Sequence, residues 1–330
     1  MMLLDSDFRT KVVSPPRQGL IDYDTPVTLL GSCFSDNIGL RMTERWFDVM
    51  SNPFGPLYNP ASISMWIKRL ASGAEFSSDE LFYAGGRYGC YWCHTALSRS
   101  DKKAMLNELN DKFEYARDHL LRSKLVILTL GTAYVYSLVE GGAVVANCHK
   151  MPASTFTRRK LNVNEISSVL IDAMAHLRAV VSHDVEFMFT VSPIRHLSDG
   201  FHGNQLSKAS LLLAIDDIMA QDKSVTYFPA FEIMMDDLRD YRFYDRDMSH
   251  PSSLAADYIY DNFSNAYMSD TVRETACQCY KITKRASHRH MTDDLDVIKK
   301  FNDETIRQGL QLVDKYPKLA VTANKILKIQ

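Results

Sequence analysis

The stretch "LLGSCFSDNIG" (residues 29–39) closes the apolar run 27–30 and opens onto apolar residues at helical spacing, among them Ile38, Leu40, Met42, Trp46 and Phe47. An apolar run, a glycine with small residues and then a 3.6-residue period predict a strand, a tight turn and a helix. Three further apolar runs, at 124–130, 185–191 and 224–228, each follow a helix-like stretch, at 101–122, 163–182 and 204–221. Such alternation predicts a three-layer α/β/α fold, with a parallel central sheet covered on both faces. Folds of this kind gather their chemistry at the carboxyl ends of strands. Those ends read Gly31-Ser32-Cys33, Gly131-Thr132, Ser192-Pro193 and Phe228-Pro229.

Of the 330 residues, 46% are hydrophobic and 24% charged, and the net charge is −2. A chain so composed can bury a sizeable core and carries no basic field, so neither nucleic acid nor an anionic membrane is an expected partner. No apolar stretch approaches the ~18 residues that cross a bilayer. The opening MMLLDSDFRTKVV does not read as a signal peptide, so a cytoplasmic protein is expected. Six cysteines in a chain this long do not form a disulfide framework. The expected organisation is one domain over 1–270, in which 51–100 is an inserted lobe over the strand ends. That lobe holds "NPFGPLYNP", a helix near 60–72 and "FYAGGRYGCYWCH". Residues 271–330 read as a helical appendage packing on the body or on a partner. Nothing in the sequence specifies an oligomeric state.

Nucleophilic catalysis needs a hydroxyl or thiol beside a base that is itself oriented by an acceptor. Ser32 and Cys33 lie on the glycine turn, and "DMSH" (247–250) offers Asp247 and His250 three residues apart, within reach of a single turn. Which of Ser32 and Cys33 would attack is open at this level. Asn147, His149 and Lys150 of "NCHK", with Arg195 and His196 of "SPIRH", are candidates to line an anion or carbonyl pocket. Asp236, Asp237, Arg239, Asp240, Arg242, Asp245 and Arg246 suggest an ion-pair network that positions the D-x-x-H loop. "CYWCH" (90–94) spells a c-type haem attachment motif, which belongs to exported proteins, and reads as accidental. A zinc site from Cys90, Cys93, Cys148 and His149 would pair a good C-x-x-C half with an adjacent Cys-His half of the wrong spacing. No metal and no cofactor are expected.

Together, "GSCFSDN", "NPFG", "TLGTAYVY", "NCHKMP", "FTVSPIRH", "NQLSKA", "YFPAFEI" and "DMSHPS" make the chain resemble the GSCFA-domain family, from roughly Leu29 to Phe263. That family is in turn similar to the SGNH/GDSL hydrolases. The resemblance implies a nucleophile after the first strand and a D-x-x-H base pair near the end. It also implies an oxyanion hole from the nucleophile's N–H, a glycine N–H and an asparagine side chain. The superfamily's G-D-S-x-S-x-N falls without a gap on Gly31–Asn37, which puts Cys33 at the nucleophile's place. D-x-x-H falls on Asp247 and His250, and the oxyanion glycine on Gly55. The G-x-N-D block falls on Gly131-Thr132-Ala133-Tyr134, so its asparagine is missing, and Asn147 is the substitute considered. A helix N-terminus and a nearby imidazole are expected to lower the Cys33 pKa. The implied activity is hydrolysis or transfer of an acyl group from an ester or thioester, on an acylated carbohydrate or acyl-carrier substrate, with Trp92 and His94 shaping the pocket. The alternative is a binding protein for a carbohydrate or acyl ligand that kept the fold and lost the chemistry.

Overall fold

The computed structural model describes residues 10–328, so the reading of the extreme N-terminus lies outside the described residues. The chain divides into two compact units, one of residues 10–13, 27–37 and 50–259, the other of 14–26, 38–49 and 260–328.

In chain order the elements begin with β1 (Val27–Gly31), α1 (Cys33–Thr43), β2 (Val49–Ser51), α2 (Pro60–Ser72), β3 (Phe82–Ala84), β4 (Arg87–Gly89) and α3 (Lys102–Arg122). They continue with β5 (Leu125–Leu130), β6 (Tyr134–Leu138), β7 (Val144–Val145), β8 (Phe156–Lys160), α4 (Val163–Val180), β9 (Glu186–Val191), α5 (Gly200–Gln221) and β10 (Val225–Tyr227). A short turn, α6 (Ala230–Glu232), precedes α7 (Ser253–Tyr267), α8 (Asp270–Ala286), α9 (Leu295–Lys315) and α10 (Ala320–Leu327). The central sheet has the order β10-β9-β5-β1-β2, and the β1–β5, β5–β9 and β9–β10 pairs are parallel. The predicted α/β architecture is therefore present, and the three later strand–helix alternations fall within a few residues of where the apolar periodicity puts them. The first helix, expected over 37–50, instead ends at Thr43, so that Trp46, at φ +68°, and Phe47 lie beyond it and 49–51 form β2.

Strands β1 and β5 are buried end to end because helices cover both faces. Every residue of VTLLG in β1 and of LVILTL in β5 is buried. Helix α4 presents Ile166, Leu170, Ala173, Met174 and Leu177 to this core at helical spacing. Asn59 caps α2 by accepting the Ser62 N–H at 2.8 Å, and Pro60 sits in the first turn, where its missing donor costs nothing. Helix α2 places Ile63, Trp66, Ile67 and Leu70 in the same core and packs against α4. Two small sheets accompany the main one: the β3–β4 hairpin and an antiparallel β7-β6-β8 sheet.

The smaller unit has its own apolar cluster, with Trp46, Cys279, Ile282, Leu312, Leu319, Ala323 and Leu327. The Trp46 indole N–H donates to Thr283 Oγ1 at 2.9 Å, and Gly309 lets Leu327 approach α9 closely. Among the described residues no helix is long and apolar enough to cross a membrane.

Candidate active site

The site is built on the β1–α1 turn. Gly31 has φ +149°, and a Cβ there would lie 2.2 Å from the Thr129 carbonyl oxygen, so only glycine fits between β1 and β5. Asn52 holds the turn from the other side: its Oδ1 accepts the Gly31 N–H at 2.9 Å and its Nδ2 donates to the Ser32 carbonyl at 3.3 Å. Immediately after the turn the chain enters α1, so Cys33 occupies the first position of the helix.

This geometry separates the two candidate nucleophiles. Ser32 is only 2% exposed, and its hydroxyl donates to Ser192 Oγ at 3.0 Å while accepting the Phe34 N–H at 3.3 Å. Cys33 is half-buried, and its Sγ lies 3.6 Å from His250 Nε2. His250 Nδ1 in turn lies 2.5 Å from Asp247 Oδ2. The other carboxylate oxygen of Asp247 accepts the backbone N–H groups of Ser249 and His250, each at 2.9 Å. These donors, the His250 N–H foremost, hold the Asp247 carboxyl down at about 2, so it is an anion across the working range.

The D-x-x-H loop takes its shape from backbone hydrogen bonds rather than from the expected ion-pair network. Asp245 N–H donates to the His250 carbonyl at 2.8 Å, Met248 N–H to that of Asp245 at 2.9 Å, and Ser252 N–H to that of Phe243 at 2.7 Å. Met248 takes φ +56°, which folds Asp247 back over the following two amides. Within 236–246, Arg242 and Asp240 pair at 3.8 Å with both side chains largely exposed, and Asp237 accepts the Tyr258 hydroxyl at 2.7 Å. Such an exposed pair contributes little.

The expected activation of the thiol does not hold in the unliganded protein. Burial raises the Cys33 pKa above its ordinary value and the nearby Asp36 adds to this, outweighing the N–H groups of Cys33 and Phe34 that favour the thiolate. Cys33 is thus a thiol beside its base, not a preformed thiolate.

Cys33, His250 and Asp247 open into a cleft of ≈ 340 Å³ that is also lined by Ser32, Tyr58, Gly131, Ser192, Arg195 and His196. A larger hollow of ≈ 870 Å³ lies between Arg285 of α8 and the 296–307 stretch of α9, but its lining includes neither a nucleophile nor a histidine. Several expected contributors lie elsewhere or are already engaged. The Gly55 N–H donates to the Asn52 carbonyl at 2.9 Å and closes a turn, so it is not an oxyanion donor. Asn147 Oδ1 accepts the His149 N–H at 2.7 Å and the Thr95 hydroxyl at 3.3 Å, away from the cleft. His149 bonds the Cys90 carbonyl at 2.7 Å and Thr95 Oγ1 at 3.2 Å through its two ring nitrogens, leaving neither for a metal. Lys150 is an exposed left-handed turn residue, and His94 caps a turn beside Gly55. The N–H groups of Gly131 and Thr132 both go to the Tyr58 carbonyl, at 2.9 and 2.8 Å. Among the described residues no group of three or more His, Cys, Asp or Glu side chains is placed to hold a metal ion.

Three residues that motif reading passed over belong to the site. Asn52 sets the turn, as described above. Tyr58 lines the cleft, and partial burial raises its pKa, with the Asp36 carboxylate adding to the effect. Lys208 is only 1% exposed, and its Nζ donates to the Gly131 and Ser192 carbonyls at 2.8 Å each, tying together the ends of β5 and β9 beneath the cleft. Burial pulls its pKa down to about 7. One signal was available for it: a lysine in register with Leu211, Ile215 and Ile218 on the buried face of α5.

The fold and site together define an α/β protein with a cysteine–histidine–aspartate array at the carboxyl edge of a parallel sheet. Residues 26–263 match the model of the GSCFA family, and the chain belongs to that family. No curated protein and no solved structure matches it.

Proposed function

We propose that this protein is an acyl-group hydrolase or acyltransferase of the SGNH type, acting on an ester or thioester with Cys33 as nucleophile. The observation that carries this reading is the chain of contacts Cys33 Sγ–His250 Nε2–Asp247, at 3.6 and 2.5 Å. Since the thiol is protonated at rest, His250 acts as general base: it takes the Cys33 proton as sulfur attacks the acyl carbon. Asp247 stabilises the resulting imidazolium and fixes its orientation. The carbonyl π electrons become an oxyanion beside the Cys33 N–H at the start of α1. The Tyr58 hydroxyl fills the donor role for which the family pattern would supply asparagine. Collapse of the tetrahedral species breaks the bond to the leaving alkoxide or thiolate, which receives the proton from His250. Water or an acceptor hydroxyl then attacks the thioester, again giving its proton to His250, and the acyl product leaves with Cys33 restored. Acylated carbohydrates and acyl-carrier thioesters are the substrate classes this chemistry suits. Six unpaired cysteines fit a reducing, cytoplasmic setting.

A second reading, a binding protein without catalysis, is favoured by one observation: the Gly55 N–H that the family pattern assigns to the oxyanion is committed to a turn. Hydrolysis of short p-nitrophenyl esters separates the two. Under the enzymatic reading Cys33→Ala lowers kcat/KM by about 10³-fold or more, and Tyr58→Phe by about 10²-fold. Ser32→Ala retains most of the activity. Equal rates in wild type and Cys33→Ala would leave only the binding reading.

A further inference from the structure

Among the described residues that line the cleft, Arg195 is a cation for which the proposed reaction has no use. Arg195 follows the carboxyl end of β9, and its backbone N–H donates to the Ser249 carbonyl at 3.2 Å, fixing it to the loop that carries His250. Its guanidinium makes only soft contacts. One Nη lies 3.9 Å from Met235 Sδ, and its central carbon lies 5.4 Å from the centroid of the Tyr244 ring. The Tyr244 hydroxyl donates to the same sulfur at 3.6 Å, so thioether and ring form one platform under the guanidinium. Elsewhere in the same unit, guanidinium groups such as those of Arg69, Arg99 and Arg178 meet carboxylates at 2.5–2.8 Å. Among the described residues no carboxylate pairs with Arg195. Asp247, the carboxylate among the described residues lining the cleft, already accepts from His250 and from two backbone amides. Arginine offers five N–H donors in a rigid fork that matches a carboxylate or phosphate group. Stacking on Tyr244 restrains that fork before any ligand arrives, so less freedom is lost on binding.

We propose that Arg195 is an anion-recognition residue, and that it makes the cleft select acyl substrates carrying a carboxylate or phosphate group within reach of Cys33. The reacting carbonyl in this proposal rests on the acyl-group reading above; the anion does not.

Alkylation of Cys33 by iodoacetate and by iodoacetamide, quantified by peptide mass mapping on the full chain, tests the anion directly. The two reagents deliver the same carbon to sulfur and differ in charge, and the exposed Cys277 serves as internal standard. In the wild type the iodoacetate-to-iodoacetamide rate ratio at Cys33 exceeds that at Cys277 by about tenfold, the effect of one charge-assisted fork. R195Q brings the two ratios together, and R195K, which keeps the charge without the fork, falls between. Melting temperature with succinate, inorganic phosphate or uncharged succinamide, at matched ionic strength, separates the sources. A rise with succinate assigns a carboxylate and a rise with phosphate assigns a phosphate, each being lost in R195Q. Equal alkylation ratios in wild type and R195Q, or no stabilisation by either anion, overturn the proposal. Turnover of p-nitrophenyl butyrate and p-nitrophenyl hemisuccinate by the wild type is followed in parallel. Absence of turnover with both defeats the acyl-group reading while the haloacetate ratio still reports on Arg195.

Discussion

Cys33 and Ser32 are adjacent, and both suit a nucleophile chemically, yet a helix start sends successive side chains in different directions. Ser32 points down into the strand ends, where Ser192 receives its proton, while Cys33 faces His250. The same turn places Asp36 one helical turn on from Cys33, and its carboxylate works against the thiolate. The sign follows directly. Burial and a neighbouring anion both disfavour the charged sulfur, so alkylation of Cys33 by neutral iodoacetamide rises with pH along a curve displaced above the ordinary thiol range. Asp36→Asn moves that curve toward lower pH. A midpoint at or below about pH 7 in the wild type would contradict this. Asp247 sets no acid limb in such a profile, because its carboxylate stays charged down to about pH 2. Spacing made Asp247 and His250 legible in the sequence, because a D-x-x-H segment needs only its own backbone to bring acid and base together, whereas the preference for Cys33 over Ser32 came from the family resemblance. Tyr58 and Asn52 were not legible, because their roles come from where the chain after β2 passes the β1–α1 turn.

At the scale of elements, the strand–turn–helix unit at 27–43 works because of one missing side chain. Gly31→Ala would drive a methyl group to within 2.2 Å of the Thr129 carbonyl, which belongs to the rigid, fully buried β5. Relief requires separating β1 from β5, so this substitution destabilises by roughly 2–4 kcal/mol, read as a lower denaturant midpoint, and it weakens the Cys33–His250 contact as the turn shifts. Helix α5 shows the same economy. Its first two turns carry buried Asn204, Ser207 and Lys208 toward the strand ends, and its later turns carry Leu211, Ala214, Ile215 and Ile218 into the core. One helical face thus changes from polar to apolar along its length, which lowers the amphipathic contrast that sequence periodicity detects. The helix itself was still foreseen from the apolar second half, but the purpose of its polar start was not.

For the molecule as a whole, Lys208 links site chemistry to global stability. Its pKa of about 7 lies below the 10.5 of an exposed lysine, so the unfolded chain binds this proton more tightly than the folded one. Below about pH 7 both states are protonated and the contribution is constant; above it, folding stability rises with pH until the unfolded lysine also titrates. Chemical denaturation from about pH 6 to about pH 7.8, kept below the ordinary thiol pKa of about 8.5, should show the onset of this rise in the wild type and its loss in Lys208→Met. A flat profile in the wild type would show that the buried amine is fully compensated. Among the apolar clusters of the described residues are one around the sheet and one around Trp46, Cys279, Leu312 and Leu327. The charged helical tail foreseen after residue 270 accordingly contains buried side chains of its own, contributed in part by residues more than two hundred positions earlier.

Sequence alone determined the architecture, because burying a strand on both faces demands a continuous apolar run and packing a helix demands a 3.6-residue stripe, and both are local patterns. It also singled out the glycine turn with Ser32 and Cys33 and the Asp247–His250 pair as candidates, since the turn and the D-x-x-H segment are each short enough to be read whole. Tertiary structure alone decided the rest: the buried, hydrogen-bonded Ser32, the occupied amides of Gly55 and Gly131, the raised thiol pKa, the buried Lys208 and an Arg195 that meets no carboxylate among the described residues. Each of these depends on which distant group supplies or withholds a hydrogen bond, a charge or water, and linear spacing does not encode that.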